Sequence, residues 1–158
     1  MTRRKKKTDA FAIKGFFRVQ IRDKATGKIV GDSGYIQNQI TNYGMANCFV
    51  GGPAGTADTV QIVGAMLGSG AAPAATATSL DGSNTKYYST VAETINNSTQ
   101  AAFGQTFDGT LGAATIANVG LFAASTGSLI CGQTYTASTV AITQDVNLTY
   151  NLNYATQA

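Results

Sequence analysis

The sequence predicts an all-β domain: a β-sandwich or jelly-roll-like fold of about eight to ten short strands, with one short helix and a basic N-terminal arm. Two observations predict it. Short alternating or apolar segments recur along the chain, separated by Gly, Asn, Asp and Ser turn signals. The composition agrees: 22 Thr and 18 Gly but only 2 Pro, with 12% charged residues, about half the usual share. Helical segments of about 10–15 residues do not alternate with the strands, so a βαβ arrangement is excluded. No internal repeat has a fixed period. At 158 residues the chain is the size of one domain, and a domain of that size buries enough surface to fold without disulfides or a metal.

The elements follow in order. Over 17–22, Phe17, Val19 and Ile21 share one face and Arg18, Gln20 and Arg22 the other, which is a half-buried strand. Residues 23–28 form a turn with Gly27 at a positive-φ position, and Ile29 and Val30 resume the extended chain, making a hairpin. Residues 40–50 predict a short helix, with Thr41 or Asn42 as N-cap and Ile40, Met45, Cys48 and Phe49 on one face. Residues 59–67 read as a buried strand ended by Gly68-Ser69-Gly70, and 71–84 as a long surface loop. Two strands, 86–95 and 99–107, flank a turn at Asn96-Asn97-Ser98, and Asp108-Gly109 marks the next turn. Residues 116–123 form an apolar strand interrupted by Gly120, and a turn at 125–128 leads into Leu129, Ile130 and Cys131. Residues 139–154 read as the clearest strand, with Val146, Leu148, Tyr150, Leu152 and Tyr154 on one face and uncharged Asn and Thr on the other.

Charge divides the chain sharply. Ten of the eleven basic residues lie in 1–28, whereas 29–158 holds only Lys86 against six acids. Arg3, Arg4, Lys5, Lys6 and Lys7 form an unbroken run, the signature of a solvated interaction arm. Residues 1–10 are therefore read as a flexible arm, 8–12 as its hinge, and 11–158 as a single β-sandwich domain. The arm has three readings: docking on nucleic-acid phosphates, docking on an acidic protein surface such as a neighbouring copy, or a plain solvated tail. Monomeric β-proteins protect their edges with Lys, Glu or Pro, and this body has few of each. A surface so poor in charge predicts a permanent assembly of copies.

The sequence offers little for catalysis. With no His, most hydrolase triads and zinc sites are excluded, and no phosphate-binding glycine loop is present. Gly51-Gly52-Pro53-Ala54-Gly55 lacks the strand–helix context of a dinucleotide fingerprint. Glu93 reads as a surface or interface acid, and Asp81-Gly82-Ser83-Asn84 as a plain turn lacking calcium-loop spacing. Cys48 and Cys131 read as two buried thiols with no neighbour to lower their pKa. Phe16, Phe17, Arg18, Arg22 and Lys24 mix aromatics with bases, but the alternation puts Phe17 in the core and the bases on the solvent face. Asn96, Asn97 and Asn147 fall in N-x-S/T sequons, read as chance matches in an Asn- and Thr-rich chain. No signal peptide or membrane-spanning run is expected. The expectation is thus no enzyme, no cofactor and no metal.

Several segments resemble small virion structural proteins of tailed phages and related prokaryotic viruses. Asn38-Gln39-Ile40-Thr41-Asn42-Tyr43-Gly44-Met45 is similar to an "N-x-I-T-N-x-G" lead into a short helix. Met66-Leu67-Gly68-Ser69-Gly70-Ala71-Ala72-Pro73, followed by Thr76, Thr78 and Leu80, looks like a "G-x-G-x-x-x-P-x-x-T-x-x-L" loop, with Pro73 and Thr76 one residue earlier than that spacing. Val119-Gly120-Leu121-Phe122 and the closing alternation at 146–154 complete the order, over roughly 35–154. The resemblance implies a capsid-shell or decoration subunit, made in the host cytoplasm and located in the virion. Its partners would be other copies and other virion proteins, with nucleic acid reachable through the arm. A tail-tube, baseplate or fibre component and a nucleic-acid-binding module remain the alternatives.

Overall fold

The computed structural model of the chain describes residues 10–50, 61–82, 91–109, 114–123 and 127–157. Strands β1 (Ala10–Asp23), β2 (Ile29–Asp32), β3 (Ile36–Gln37) and β4 (Gln39–Ile40) come first, followed by the helical turn α1 (Asn42–Gly44) and a π-helical turn, Met45–Val50. Then come β5 (Ile62–Gly68), β6 (Ala92–Asn97), β7 (Gln100–Phe107), β8 (Ala114–Ala123), β9 (Leu129–Val140) and β10 (Gln144–Gln157). They form two antiparallel sheets. The larger has the order β2-β1-β10-β7-β6, with β3 also on β1; the smaller has the order β4-β9-β8-β5.

The alternation read in the sequence builds the larger sheet. β1 and β10 pair along their whole length, from Ala10 opposite Gln157 to Asp23 opposite Gln144. Phe17, Val19 and Ile21 therefore lie on the same face as Val146, Leu148, Tyr150 and Leu152, and all seven are buried. Gly27 turns the chain into β2 at φ 69°, where a side chain would be strained.

The second sheet closes the sandwich. Leu67 of β5, Ile116, Val119 and Leu121 of β8, and Ile130 and Val140 of β9 join the same core cluster as the β1 and β10 residues. Phe17 meets Tyr135 edge to face across the two sheets, with ring centroids 6.1 Å apart. In β8 the register shifts between Ile116 and Asn118, a bulge that lets Ile116 and Val119 both face inward despite their odd spacing.

Residues 69–82 form a strap over the outer face of the second sheet. Leu80 is 3% exposed and clusters there with Met66, Phe122 and Leu129. The buried Asn118 donates from Nδ2 to the carbonyls of Ala71 (3.1 Å) and Asp81 (3.0 Å), tying both ends of the strap to β8. Leu129 N–H donates to Thr78 O (2.9 Å) and Asn42 N–H to Ala75 O (2.7 Å). Gly82, at φ 87°, lies so close to Gly70 that a Cβ there would meet Gly70 Cα at 2.7 Å. The ends of an Ω-loop meet in this way.

The structure corrects several sequence expectations. Residues 139–154 are not one strand: β9 ends at Val140, and β10 begins at Gln144. The turn between them is closed by Gln144 N–H on Ala141 O (3.0 Å) and by Ala141 N–H on Gln144 Oε1 (2.9 Å). Positions 10–12 of the expected hinge belong to β1 and pair with 155–157. Met45 does not share the buried face of Ile40, Cys48 and Phe49; it is 38% exposed, because a π-helical turn does not keep the 3.6-residue period. Gly120 does not interrupt β8 but pairs with Met66 and Gly132, and a Cβ there would meet Leu129 Cδ1 at 2.5 Å. The 71–84 loop is partly core, through Leu80. The turn expected at 96–98 sits one residue later, with Asn97 Oδ1 accepting from Thr99 N–H and Oγ1, both at 2.8 Å. Positions 59–60 and 86–90 of two expected strands lie outside the described residues.

Candidate assembly surfaces

The arm residues Arg3, Arg4, Lys5, Lys6 and Lys7 lie outside the described residues, as does the 51–55 glycine segment. The described chain starts at Ala10, which pairs with Gln157 at the far end of β10.

Two of the remaining bases, Arg18 and Lys24, pair with acids of the body. Arg18 Nε donates to Asp32 Oδ1 (2.9 Å), its Nη2 bonds Asp32 Oδ2, and its guanidinium lies 5.5 Å from the Tyr35 ring centroid. Hydrogen bonds from Arg18, Gly34 N–H and Gln20 hold the Asp32 carboxyl well below the usual carboxylate range. Lys24 pairs with Asp108 and reaches Asp145 at 3.5 Å. Phe17 is 1% exposed and belongs to the core. Of the set Phe16, Phe17, Arg18, Arg22 and Lys24, Phe17 is thus buried and Arg18 and Lys24 are paired, whereas Phe16 is half-buried and Arg22 is exposed.

On β10 and β7 the outer face of the larger sheet is uncharged from 147 to 153, while on β1 the same face carries Lys14, Arg18 and Arg22. Asn147, Thr149, Asn151 and Asn153 of β10 line up with Thr106, Gly104, Ala102 and Gln100 of β7. Cross-strand bonds knit the face: Gln100 Nε2 donates to Asn153 Oδ1 (2.8 Å) and Thr106 Oγ1 to Asn147 Oδ1 (2.9 Å). A shallow trough of about 640 Å³ crosses it, with Ala92 and Gly104 among its small lining residues and Gln20, Arg22, Asn147 and Thr149 among its polar ones.

The strand edges differ. Val91 N–H donates to Val63 O (3.0 Å), so chain already lies against the β5 edge. β4 is only two residues long. Beyond β2, Ser33 Oγ accepts from Val19 N–H (2.9 Å) and Gly34 turns at φ 66°, which breaks up that edge. β6 ends the strand order, and all six of its residues are exposed. Ile95 is 75% exposed, the most exposed large apolar side chain among the described residues.

The acids and thiols singled out in the sequence do not come together as a reactive set. Glu93 lies on β6 near Tyr154, whose hydroxyl is raised in pKa by burial and then by the charge of Glu93. Asp81 Oδ2 accepts from Ala71 N–H (3.3 Å), a strap contact. Burial pushes the Cys48 thiol up to about 11 and that of Cys131 to about 12. Among the described residues no three His, Cys, Asp or Glu side chains lie together as a metal site.

Sequence reasoning missed a buried polar pair. Asn38 Nδ2 donates to Tyr150 Oη (2.9 Å) between the sheets, while Asn38 Oδ1 is buried without a partner. A Cβ at Gly15 would collide with both side chains. The only sequence signals are a Gly inside β1 and a Tyr on the apolar face of β10. Asn118 was equally invisible as a staple, although an Asn inside the apolar run of β8 is the kind of residue that must have buried partners. Comparison with protein-family models, with curated proteins and with solved structures finds no match to this chain.

Proposed function

We propose that this chain is a non-enzymatic structural subunit of a virus particle, part of a capsid shell or its decoration. Its function is geometric: a rigid sandwich presents an uncharged sheet face and a strand edge to other copies, and the basic arm docks on a neighbour or on nucleic acid. The observation that carries the assembly half is β6, an edge strand exposed along its whole length, with Ile95 75% exposed and Glu93 its only charge. The uncharged outer ladder of β10 and β7 supports it. The virion half rests on the resemblance of the 38–45, 68–80 and 119–122 segments, all of which the fold uses for packing. Thr41 caps α1, Leu80 plugs the strap, and Gly120 makes room for Leu129.

The second reading, a nucleic-acid-binding module, draws on the run of five bases in the arm. The test compares full-length protein with a chain lacking residues 1–10, by light scattering, electron microscopy and DNA binding at low and high salt. Defined oligomers, rings or shells support the structural reading, and their loss without the arm assigns the arm to contacts between copies. A monomer in all conditions that binds DNA with a steep, arm-dependent salt slope replaces it with the second reading.

A further inference from the structure

Asn38 is the residue at which the chain crosses from one sheet to the other. It separates β3, which pairs with β1 of the larger sheet, from β4, which pairs with β9 of the smaller one. Its main chain is tied to the larger sheet, with Asn38 N–H donating to Gly15 O of β1 (3.0 Å). Its side chain is only half satisfied. Nδ2 donates to Tyr150 Oη of β10 (2.9 Å), while Oδ1 is buried and meets no donor from the protein, in a residue only 8% exposed. An amide oxygen left that way weakens a fold unless some other donor reaches it.

The space for such a donor adjoins the same side chain. A cavity of about 10 Å³ is lined by Phe17 and Tyr150 of the larger sheet, by Val119 and Cys131 of the smaller one, and by Asn38 between them. All five residues are buried. A space of this size holds about one water. Its walls are not purely apolar, because three of the five residues bring a polar group: the Asn38 amide, the Tyr150 hydroxyl and the Cys131 thiol. Tyr150 Oη and Asn38 Oδ1 both crowd the point that a Cβ on Gly15 would occupy, so one water is enough to span the two oxygens.

We infer that one water molecule is a fixed part of this fold, held in the cavity between the sheets by Asn38, Tyr150 and Cys131. The water donates to Asn38 Oδ1 and accepts from the Tyr150 hydroxyl, whose oxygen already accepts from Asn38 Nδ2. Amide, hydroxyl and water then close a ring in which each member both donates and accepts, and bonds in such a ring strengthen one another. The second proton of the water is left for the Cys131 sulfur, a weak acceptor. The crossover residue is thereby tied to the larger sheet directly and to the smaller sheet through the water. The site is internal, so it does not depend on whether the chain assembles.

A high-resolution crystal structure of the full chain, together with magnetic relaxation dispersion of the water oxygen, which counts long-lived internal waters, tests the inference. The expected result is density for one water within hydrogen-bond distance of Asn38 Oδ1, and one long-lived water fewer in Asn38→Leu than in wild type. Absence of that density, or a folded Asn38→Leu that keeps the wild-type count, overturns it. If Asn38→Leu does not fold, Val119→Ile takes its place by adding a methyl group to the cavity wall. Filling a dry apolar cavity raises the melting temperature, whereas expelling a bound water leaves Oδ1 unsatisfied and lowers it. A lower melting temperature with one water fewer supports the inference, and a higher melting temperature overturns it.

Discussion

Thr41→Val isolates one oxygen that the fold uses twice. Thr41 is fully buried, and its Oγ1 accepts from Gly44 N–H (3.0 Å) to cap α1 while donating to Leu129 O (2.7 Å) on β9. Valine has the same shape, so no cavity forms and only the two hydrogen bonds are lost. Leaving the buried Gly44 N–H unpartnered costs about 1–3 kcal/mol, and the lost bond to Leu129 O costs about 1 kcal/mol. The added buried methyl returns about 0.8 kcal/mol, for a net loss of about 1–3 kcal/mol. In a chain of this size that lowers the melting temperature by about 3–10 °C. Thr41→Ser keeps the oxygen and removes a methyl, so it is expected to cost only about 1 kcal/mol. Thermal and urea melts of the three proteins decide it. A valine variant within about 0.5 kcal/mol of wild type, or a serine variant worse than valine, would refute the idea that this hydroxyl ties the helical turn to the second sheet.

Two further predictions follow from burial. Leu80→Ala removes the plug of the strap from its pocket with Met66, Phe122 and Leu129, and is expected to cost about 2–4 kcal/mol in a urea melt and to speed proteolysis within 71–82. The thiols should be inert near neutrality: at pH 8 a half-buried Cys48 with its pKa near 11 should react with a disulfide reagent on the order of a hundredfold slower than a free thiol, and Cys131 not until unfolding. Because burial raises both folded pKa values above that of an unfolded cysteine, the unfolded chain loses these protons first. Stability should therefore fall as pH rises from about 8.5–9 toward 11–12, and Cys131→Ala should remove part of that slope.

What the sequence made legible was whatever depends on one strand or turn alone. The alternation at Phe17, Val19 and Ile21, that from Val146 onward, the positive-φ Gly27 and the Thr41 cap are all local, and all stand in the structure. What it hid depends on distant partners. Residues 133–139 of β9 are mostly Gln, Thr and Ser with Tyr135, and their pattern is too polar to read as a strand until β8 pairs with them. Ala141, Ile142 and Thr143 suit a strand by propensity, and only the Gln144 side chain shows why the chain turns there. The strap reads as surface because Leu80 finds its partners on three strands far apart in sequence. For the candidate surfaces, scarcity of charge was readable over residues 29–158. Which strand edges stay open depends on how far each neighbour runs: β6 ends its sheet, and β4 covers only Gly132 and Cys131 of β9, which is a property of the folded sheets alone.

The central claim is that the chain assembles with itself, and sedimentation equilibrium of the full-length protein from about 1 to 100 µM tests it most directly. The account predicts a mass that rises to a whole multiple of the 16.3 kDa chain, two or more, as concentration increases. A constant 16.3 kDa across the range, with the fold intact by circular dichroism, would contradict it.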